Sequence, residues 1–231
     1  MYDFDHDLFL ALNFDGGEVG DFLMNTVSGT AMWIPLYLLI LWMIWRHDGW
    51  KGMLLFLVLM IGAIALSDMI SGIFKHNGLL GDLLPDFQPR WRPMFTPALE
   101  DMSITPDSLF NLHVLRRDDP EAFANLGLVH EWAVHVPVEA VSGKFGTVSA
   151  HASTILALAV ISCCALKRKW FTWLMVFSTV IICYSRIYLG KHFPMDLVWG
   201  SLVGAAAGYL GWVVYRLIIR RTTSDKRQNE E

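Results

Sequence analysis

Residues 185–196, SRIYLGKHFPMD, bring several titratable side chains together between two long apolar runs. His192 and Asp196 are four residues apart, and Pro194 between them is suited to the first turn of a helix. An aspartate that accepts a hydrogen bond from one imidazole nitrogen fixes the tautomer, and the other nitrogen can then attack an electrophile or accept a proton. The spacing therefore predicts a reactive histidine at His192 that Asp196 orients.

Positive side chains in the sequence could hold an anionic substrate against this histidine. Arg186 lies in the same stretch, and Lys75 ends an earlier apolar run. Arginine and lysine donate charge-assisted hydrogen bonds to phosphate oxygens, and the planar fork of arginine matches a phosphate well. Cleavage of a phosphate ester also needs a group that protonates the leaving oxygen, and His151, at the start of another apolar run, is the candidate. These residue types indicate a phosphate site.

The elements that position these residues are expected to cross a membrane. Of 231 residues, 54% are hydrophobic and 10 are tryptophan, which is too apolar for an ordinary soluble domain. About 20 helical residues match the thickness of the hydrocarbon core. The sequence therefore predicts an all-α fold, a polytopic membrane helix bundle with about five transmembrane helices. The expected spans are residues 31–45, extendable back to Phe22, and then residues 52–74, 152–166, 170–189 and 197–219.

Basic residues orient the five spans. They lie between spans one and two, between spans three and four, and after span five, which are positions on one side of the membrane. The positive-inside rule makes that side the cytoplasm, so the N-terminus is expected outside and the C-terminus inside. With this orientation, Lys75, His151 and residues 185–196 all reach the outer face.

The expected spans divide the chain into five regions. The outer segment between spans two and three is long for a structureless loop, so it is expected to contain short helices. One of them is predicted to start at residues 118–121, before Ala122. The segment is interpreted either as a lid or headgroup selector or as an insertion that packs on the outer surface. The regions are an outer interfacial segment at 1–21 with a short helix at 4–14, transmembrane helices 1 and 2 at 22–75, the outer (periplasmic) insertion over the site at 76–147, transmembrane helices 3 to 5 with the catalytic motifs at 148–219, and a cytoplasmic tail at 220–231.

Other polar or small residues have a structural interpretation. Lys191 is assigned to the membrane interface, where a lysine usually extends its ammonium group toward lipid headgroups. Gly200, Gly204 and Gly208 follow the small-xxx-small spacing of a helix-packing face. The two histidines of residues 130–135 are five apart and do not share a helix face, so this stretch is predicted to be a loop without a metal ion.

The motif at 185–196 resembles the third signature of the type 2 phosphatidic acid phosphatase superfamily, the membrane lipid phosphate phosphatases that share a site with vanadium haloperoxidases. Residues 148–151, VSAH, resemble the second signature, Pro-Ser-Gly-His, with Val and Ala in place of Pro and Gly. The first signature is a Lys followed after six residues by Arg-Pro. It corresponds best to Lys75 and to Arg92 with the proline after it, which implies an insertion between them. Arg90 is the alternative to Arg92.

The resemblance implies phosphoryl transfer through a histidine. His192 would attack phosphorus and form a phosphohistidine, Asp196 would hold its ring, and His151 would protonate the leaving alkoxide and then activate water. No metal ion or other cofactor is implied, because fixed cations can stabilise the charge that a divalent ion stabilises in kinases. The residues implied in binding the phosphoryl oxygens are Lys75, Arg92, Ser149, Ala150 through a nearby backbone amide, and Arg186.

The resemblance therefore implies an integral-membrane, metal-independent phosphatase acting at the outer leaflet, with a periplasmic active site in a bacterial inner membrane. The expected partners are membrane lipids and a lipid phosphate substrate, and no nucleic acid. The candidate substrates are an isoprenyl diphosphate, phosphatidylglycerol phosphate, phosphatidic acid and a lipid A phosphate. Two alternatives stay open: a lipid phosphotransferase with the same intermediate, and a non-catalytic protein that binds or transports an anionic headgroup.

Overall fold

The structure is a computed structural model that describes residues 2–75, 84 and 86–228. Residues 76–83 and 85 of the expected outer insertion, and residues 229–231 of the expected tail, lie outside this described part. Within the described part the chain is helical and forms no strand, so the predicted all-α class is confirmed. The helices are α1 Tyr2–Leu12, α2 Gly17–Ser28, α3 Ile34–Ile73, α4 Pro106–Asp118, α5 Pro120–Asn125, α6 Ala150–Leu166, α7 Lys169–Tyr188 and α8 Pro194–Gln228, with short 3-10 helices at Thr30–Trp33, Pro93–Phe95, Pro97–Leu99 and Val138–Ala140.

Several of these helices are suited to a membrane. Helix α3 is interrupted at Gly49, where φ is 72° and ψ is −178°, a conformation that glycine adopts far more readily than other residues. This interruption falls at the connection that the sequence predicts between spans one and two. Helix α6 is also apolar but shorter. These helices fit the predicted polytopic membrane bundle. The stretches of the described chain that are long and apolar enough to cross a membrane are Thr30–Ile73, Lys169–Tyr188 and Pro194–Arg221.

The chain divides into two compact units, and each unit is assembled from stretches that are distant in sequence. Most residues of the predicted phosphate site belong to the first unit, whereas Ala150 and His151 belong to the second. The first unit comprises the residues up to Gly29, Ile73–Ser149 and Cys183–Val198, and the second comprises Thr30–Gly72, Ala150–Ile182 and the chain from Trp199 onward.

The buried amide of Asn13, just after α1, ties three stretches of the first unit together. Its Nδ2 donates to the carbonyl oxygens of His135 at 3.1 Å, Ile187 at 3.0 Å and Tyr188 at 2.9 Å. Its Oδ1 accepts the backbone N–H of His135 at 2.8 Å. The last carbonyl groups of a helix have no partner within the helix, so the Asn13 amide satisfies the end of α7. The N-terminal segment is thereby fixed to the helix that leads into the predicted site.

Polar side chains set where the short helices of the outer insertion begin. Asp119 precedes α5, and its carboxylate accepts the backbone N–H of Ala122 at 2.9 Å. Thr105 precedes α4 in the same way and accepts the N–H of Ser108 at 3.2 Å. Both are N-cap contacts, and each helix has a proline in its first turn. The predicted helix start at residues 118–121 is confirmed, as are short helices within the described part of the insertion.

Glycines bring α6 and α8 together in the second unit. A Cβ atom added at Gly204 would lie closer than 3.0 Å to the backbone of Ser153, and one added at Gly208 would meet the backbone of Ala157 just as closely. Helices in membranes pack through such small residues because the backbones can then approach each other. The predicted packing face is confirmed at these two glycines.

This packing predicts a stability loss for Gly204→Ala. The added methyl group must push a backbone away, at a cost of about 1–3 kcal/mol, so the thermal midpoint of the detergent-purified protein should fall. Gly62→Ala on α3 is the matched control, because nothing lies within 4 Å of a Cβ at that position. Its midpoint should stay the same or rise, since alanine favours a helix over glycine. Equal midpoints for the two variants would contradict the packing described above.

Candidate active site

His192 lies in the connection between α7 and α8, and its side chain is buried, with 1% exposure. Its Nδ1 is 2.9 Å from the carbonyl oxygen of Gly146. A carbonyl oxygen only accepts hydrogen bonds, so Nδ1 must carry the proton and the lone pair of the neutral ring must be on Nε2. In this tautomer, Nε2 can act as a nucleophile or a base.

Asp196 is the third residue of α8 and is 2% exposed. Its Oδ2 accepts the backbone N–H of Phe193 at 3.0 Å, which is the reciprocal contact of a helix capping box. The same oxygen is 3.5 Å from Nδ1 of His192, a longer distance than that to Gly146. The carboxylate therefore lies beside the ring, as the spacing predicted, while its shortest contact holds the backbone of the loop.

The outer insertion carries Arg92 back to this loop. Two stretches of the insertion meet at an isolated antiparallel β-bridge, in which Trp91 is opposite Phe145. The backbone N–H of Arg92 donates to the carbonyl oxygen of Lys144 at 3.1 Å, and its side-chain Nε donates to the carbonyl oxygen of Phe145 at 3.2 Å. This pairing places the guanidinium group in the site although many residues separate Arg92 from Lys75 in the sequence.

Gly146 allows the bridge and the histidine to approach each other closely. A Cβ atom at this position would lie 3.2 Å from Nδ1 of His192, 3.2 Å from the carbonyl oxygen of Lys191 and 3.3 Å from Cγ of Arg92. These distances are shorter than ordinary van der Waals contacts, so a side chain would press on all three groups. The glycine lets Arg92 and His192 lie against one backbone position.

Arg186 is a second guanidinium group in the site, and it is 3% exposed. Its Nη1 donates to the hydroxyl oxygen of Ser28 at the end of α2. Its Nε is also buried, and within the described part of the chain no acceptor lies within hydrogen-bonding distance of it. Buried donors in proteins are nearly always paired, so this N–H is suited to an oxygen of an anion.

Three cations from distant parts of the sequence act on His192. Burial lowers the pKa of His192 well below its usual value, and the positive charges of Arg186, Arg92 and Lys75 lower it further. The ring is therefore neutral at physiological pH. Lys191 is close enough to this cluster to be affected by it: burial and the charges of Arg186 and Arg92 lower its pKa to about 7. Lys191 was predicted to lie at the membrane interface, and its position near the site was not predicted from the sequence.

The Arg92 guanidinium is itself partly desolvated. Burial lowers its pKa to about 10, and the negative charge of Asp196 opposes this change. A pKa of about 10 still leaves the group positively charged at neutral pH. Arg92 also contacts the carbonyl oxygen of Ser142 through Nη1. Its partners on the insertion are thus uncharged carbonyl oxygens, which hold the side chain without neutralising it.

The residues of the second signature surround the start of α6. Ser149 directly precedes this helix, is fully buried, and donates its backbone N–H to the carbonyl oxygen of Asp196 at 3.1 Å. Ala150 and His151 are the first two residues of α6. The N-terminus of a helix favours an anion because its N–H groups have no partner within the helix. The roles of Ala150 and His151 remain predictions from the resemblance.

Arg90 has a different environment from Arg92. Its Nη1 forms an ion pair with Oδ2 of Asp5 and is 3.5 Å from Oδ1 of Asp196. Its guanidinium carbon lies 3.6 Å from the centre of the Phe193 ring. Two carboxylates therefore balance the charge of Arg90, and one of them comes from the N-terminal helix.

Asp5 was not among the predicted site residues. The helix predicted at residues 4–14 is confirmed as α1, and Asp5 and Phe9 are buried on it, with 2% and 0% exposure. Residues four apart share a helix face, so an aspartate on the same face as a buried phenylalanine was the available signal. Gly146 gave no comparable signal, because its role depends on a contact between distant segments.

One group of side chains in the described part of the chain has the spacing of metal ligands. The ligand atoms of Asp15, Asp21 and His135 lie within 4.8 Å of one another. Nε2 of His135 is 2.8 Å from Oδ1 of Asp21, and the hydroxyl group of Tyr188 donates to the same oxygen at 2.7 Å. Two hydrogen bonds within the protein therefore already engage Oδ1 of Asp21. The predicted loop at residues 130–135 is confirmed.

Known proteins resemble this chain over different lengths. The profile of the PAP2 superfamily matches residues 56–220. A lipid A 4′-phosphatase of Bacteroides thetaiotaomicron is 25% identical over 226 residues, which are 97% of this chain and 83% of that protein. A lipid A 4′-phosphatase of Porphyromonas gingivalis is 34% identical over 73 residues, 32% of this chain and 31% of that protein. An undecaprenyl-diphosphatase of Sulfolobus acidocaldarius is 32% identical over 62 residues, 27% of this chain and 30% of that protein.

The close approach at Gly146 predicts that Gly146→Ala weakens anion binding. The methyl group would displace the Arg92 side chain or the His192 ring by a few tenths of an ångström, and affinity for inorganic phosphate should fall about tenfold. Titration calorimetry of the detergent-purified protein measures this change. Gly72→Ala is the control, since nothing lies within 4 Å of a Cβ there, and it should bind phosphate like the wild type. Unchanged affinity in Gly146→Ala would mean that the site tolerates the methyl group.

Proposed function

Because this chain belongs to the PAP2 superfamily and is a lipid phosphatase, we propose that it works through a phosphohistidine intermediate and without a metal ion. The observation that carries this proposal is the buried, neutral imidazole of His192 beside Lys75, Arg92 and Arg186. A neutral imidazole has the lone pair that attacks phosphorus. Fixed cations next to it can stabilise the negative charge on the equatorial oxygens of the phosphoryl group during transfer.

Binding of the phosphate comes first. Lys75, Arg92 and Arg186 would contact its oxygens, with the unpaired Nε of Arg186 as one donor. Ser149 and the amide near Ala150 would complete the set, as the resemblance predicts. A phosphate held in this way has its phosphorus directed toward the imidazole. Positioning of this kind supplies a large part of the rate enhancement in phosphoryl transfer.

Two displacement steps would follow. Nε2 of His192 attacks phosphorus and forms an N–P bond while the P–O bond to the lipid breaks, and His151 gives its proton to the leaving oxygen. In the second step, His151 takes a proton from water as the water oxygen attacks the phosphohistidine. The N–P bond then breaks, inorganic phosphate leaves, and both histidines return to their starting states.

Arg92 is the better candidate than Arg90 for the first signature. The Arg90 guanidinium is engaged by the carboxylates of Asp5 and Asp196, which leaves little positive charge for a substrate. Arg92 is held by carbonyl oxygens, so its charge is available. Its charge also lowers the pKa of His192, which supports a position close to the reacting nitrogen.

The substrate we propose is a phosphate monoester on a lipid A disaccharide at the outer leaflet. The similarity to the lipid A 4′-phosphatase of Bacteroides thetaiotaomicron extends over 97% of the chain, and it therefore includes the outer insertion. An undecaprenyl diphosphate is the second candidate, because the undecaprenyl-diphosphatase of Sulfolobus acidocaldarius matches a shorter stretch of the chain. A periplasmic site and a cytoplasmic C-terminus follow from the positive-inside rule and belong to the same proposal.

The mechanism predicts that His192→Ala abolishes turnover. Phosphate release in the presence of a chelator should continue in the wild type and fall by roughly 10³-fold or more in the variant. Wild type given labelled substrate and quenched rapidly should carry an acid-labile, alkali-stable label that His192→Ala lacks. The exposed His47 provides a control, His47→Ala, which should behave like wild type. Retained turnover in His192→Ala, or a strict need for a divalent ion, would overturn the mechanism.

The substrate proposal is tested with a panel of lipids presented in the same detergent. The panel contains lipid A, undecaprenyl diphosphate, phosphatidic acid and phosphatidylglycerol phosphate, and free phosphate is measured at equal lipid concentration. Lipid A should be hydrolysed at least about tenfold faster than the others, which corresponds to about 1.4 kcal/mol of discrimination. Mass spectrometry should show loss of the 4′-phosphate. Faster hydrolysis of undecaprenyl diphosphate would favour the second candidate.

A further inference from the structure

The N-terminal helix α1 contacts the active-site loop through a buried carboxylate. Oδ1 of Asp5 accepts the backbone N–H of Met195 at 3.0 Å, and Met195 is the second residue of α8. The first N–H groups of a helix lack partners within the helix, and a negative charge is favourable there. Asp5 therefore helps to fix the start of the helix that carries Asp196.

The other oxygen of Asp5 acts through Arg90. Oδ2 of Asp5 pairs with Nη1 of Arg90, and the same nitrogen is 3.5 Å from Oδ1 of Asp196. Asp5 and Asp196 are each 2% exposed, so both carboxylates need a positive partner. Arg90 is shared between them. If Asp5 lost its charge, the guanidinium group would be drawn toward Asp196 alone.

Movement of Asp196 would reach the histidine directly. Its Oδ2 accepts the N–H of Phe193 at 3.0 Å and lies 3.5 Å from Nδ1 of His192. A shift of this carboxylate toward Arg90 would lengthen both contacts. The loop backbone and the imidazole would then lose contacts that fix their orientation. The contacts of the cations proposed to bind phosphate would not change.

Ring contacts also join α1 to the loop that contains His192. The Phe193 ring lies 4.9 Å from the His6 ring, which is stacked on it, and 5.4 Å from the Phe9 ring, which meets it edge-on. Both partners are on α1. The residue next to His192 is therefore packed against α1 through two rings, and Asp5 directly precedes the first of their residues, His6, on the same helix.

We propose that Asp5, acting through Arg90, is a positioning residue that holds Asp196 and thereby sets the orientation of His192. In this view α1 is part of the catalytic apparatus. The inference rests on the proposed function, since it assigns Asp5 to the histidine that attacks phosphorus. Asp5 would not touch the substrate, so its loss should reduce the rate of the chemical step and leave substrate affinity nearly unchanged.

The variant Asp5→Asn tests this directly, because it keeps the shape and the acceptor for Met195 but removes the charge. We expect kcat for lipid phosphate hydrolysis to fall about tenfold to a hundredfold, with KM within about threefold of wild type. Asp7→Asn changes an exposed carboxylate on the same helix and should leave both constants unchanged. A kcat for Asp5→Asn within twofold of wild type would overturn the inference.

A double-variant cycle separates positioning from a general loss of stability. Arg90→Gln should lower kcat to a similar extent, and Asp5→Asn combined with Arg90→Gln should be no slower than the slower single variant. Thermal midpoints show whether each protein is folded at the assay temperature. Additive losses in kcat would mean that the two residues act independently and would contradict the proposal.

A readout without turnover keeps this inference distinct from the proposed function. The proton on Nδ1 of His192, which is hydrogen-bonded to Gly146, should give a downfield NMR resonance that His192→Ala identifies. Asp5→Asn should shift or broaden this resonance, whereas Asp7→Asn should not. An unchanged resonance in Asp5→Asn overturns the positioning role. If the wild type carries no phosphohistidine while the resonance still depends on Asp5, the proposed mechanism fails and the positioning role stands.

Discussion

Repulsion among positive charges around a buried imidazole is the constraint on which the first unit depends. The charges of Arg186, Arg92 and Lys75 all lower the pKa of His192, and Arg186 is itself buried. Like charges in a partly desolvated site repel each other strongly. Lys191 is subject to the same effects, because burial and the charges of Arg186 and Arg92 lower its pKa to about 7. A phosphate dianion would relieve this repulsion, which supports the phosphate binding proposed above.

Uncharged groups hold the side chains of Arg92 and Arg186. Carbonyl oxygens of Phe145 and Ser142 contact Arg92, and a hydroxyl group of Ser28 contacts Arg186. Uncharged acceptors fix a guanidinium group but leave its charge for the ligand, whereas a carboxylate would compensate it. These contacts come from the outer insertion and from α2. The insertion therefore contributes Arg92 and the carbonyl oxygens that hold it to the candidate site, and it does not only pack on the surface of the first unit.

Local signals in the sequence predicted the elements well and the long-range contacts poorly. The proline at 194 predicted the start of α8, the residues at 118–121 predicted the start of α5, and the glycine spacing predicted a packing face on α8, since each depends on neighbouring residues. The choice between Arg90 and Arg92 could not be made in this way. It depends on which arginine meets Asp5, and that contact joins residues far apart in the sequence. The spacing of His192 and Asp196 predicted their proximity, but it could not show that the carbonyl oxygen of Gly146 is closer to the ring.

The two arginines of the insertion illustrate why such a site needs both compensated and uncompensated charge. Arg90 and Arg92 are only two residues apart in the sequence, yet their guanidinium groups have different partners. Arg90 meets two carboxylates and contacts the Phe193 ring, so its charge stabilises the loop. Arg92 meets carbonyl oxygens, which do not compensate its charge, and the proposed role in phosphate binding requires such a charge. If both were compensated, little positive charge would remain to bind phosphate. If neither arginine were paired with a carboxylate, the buried carboxylate of Asp196 would lack Arg90, the partner proposed to keep it beside the imidazole.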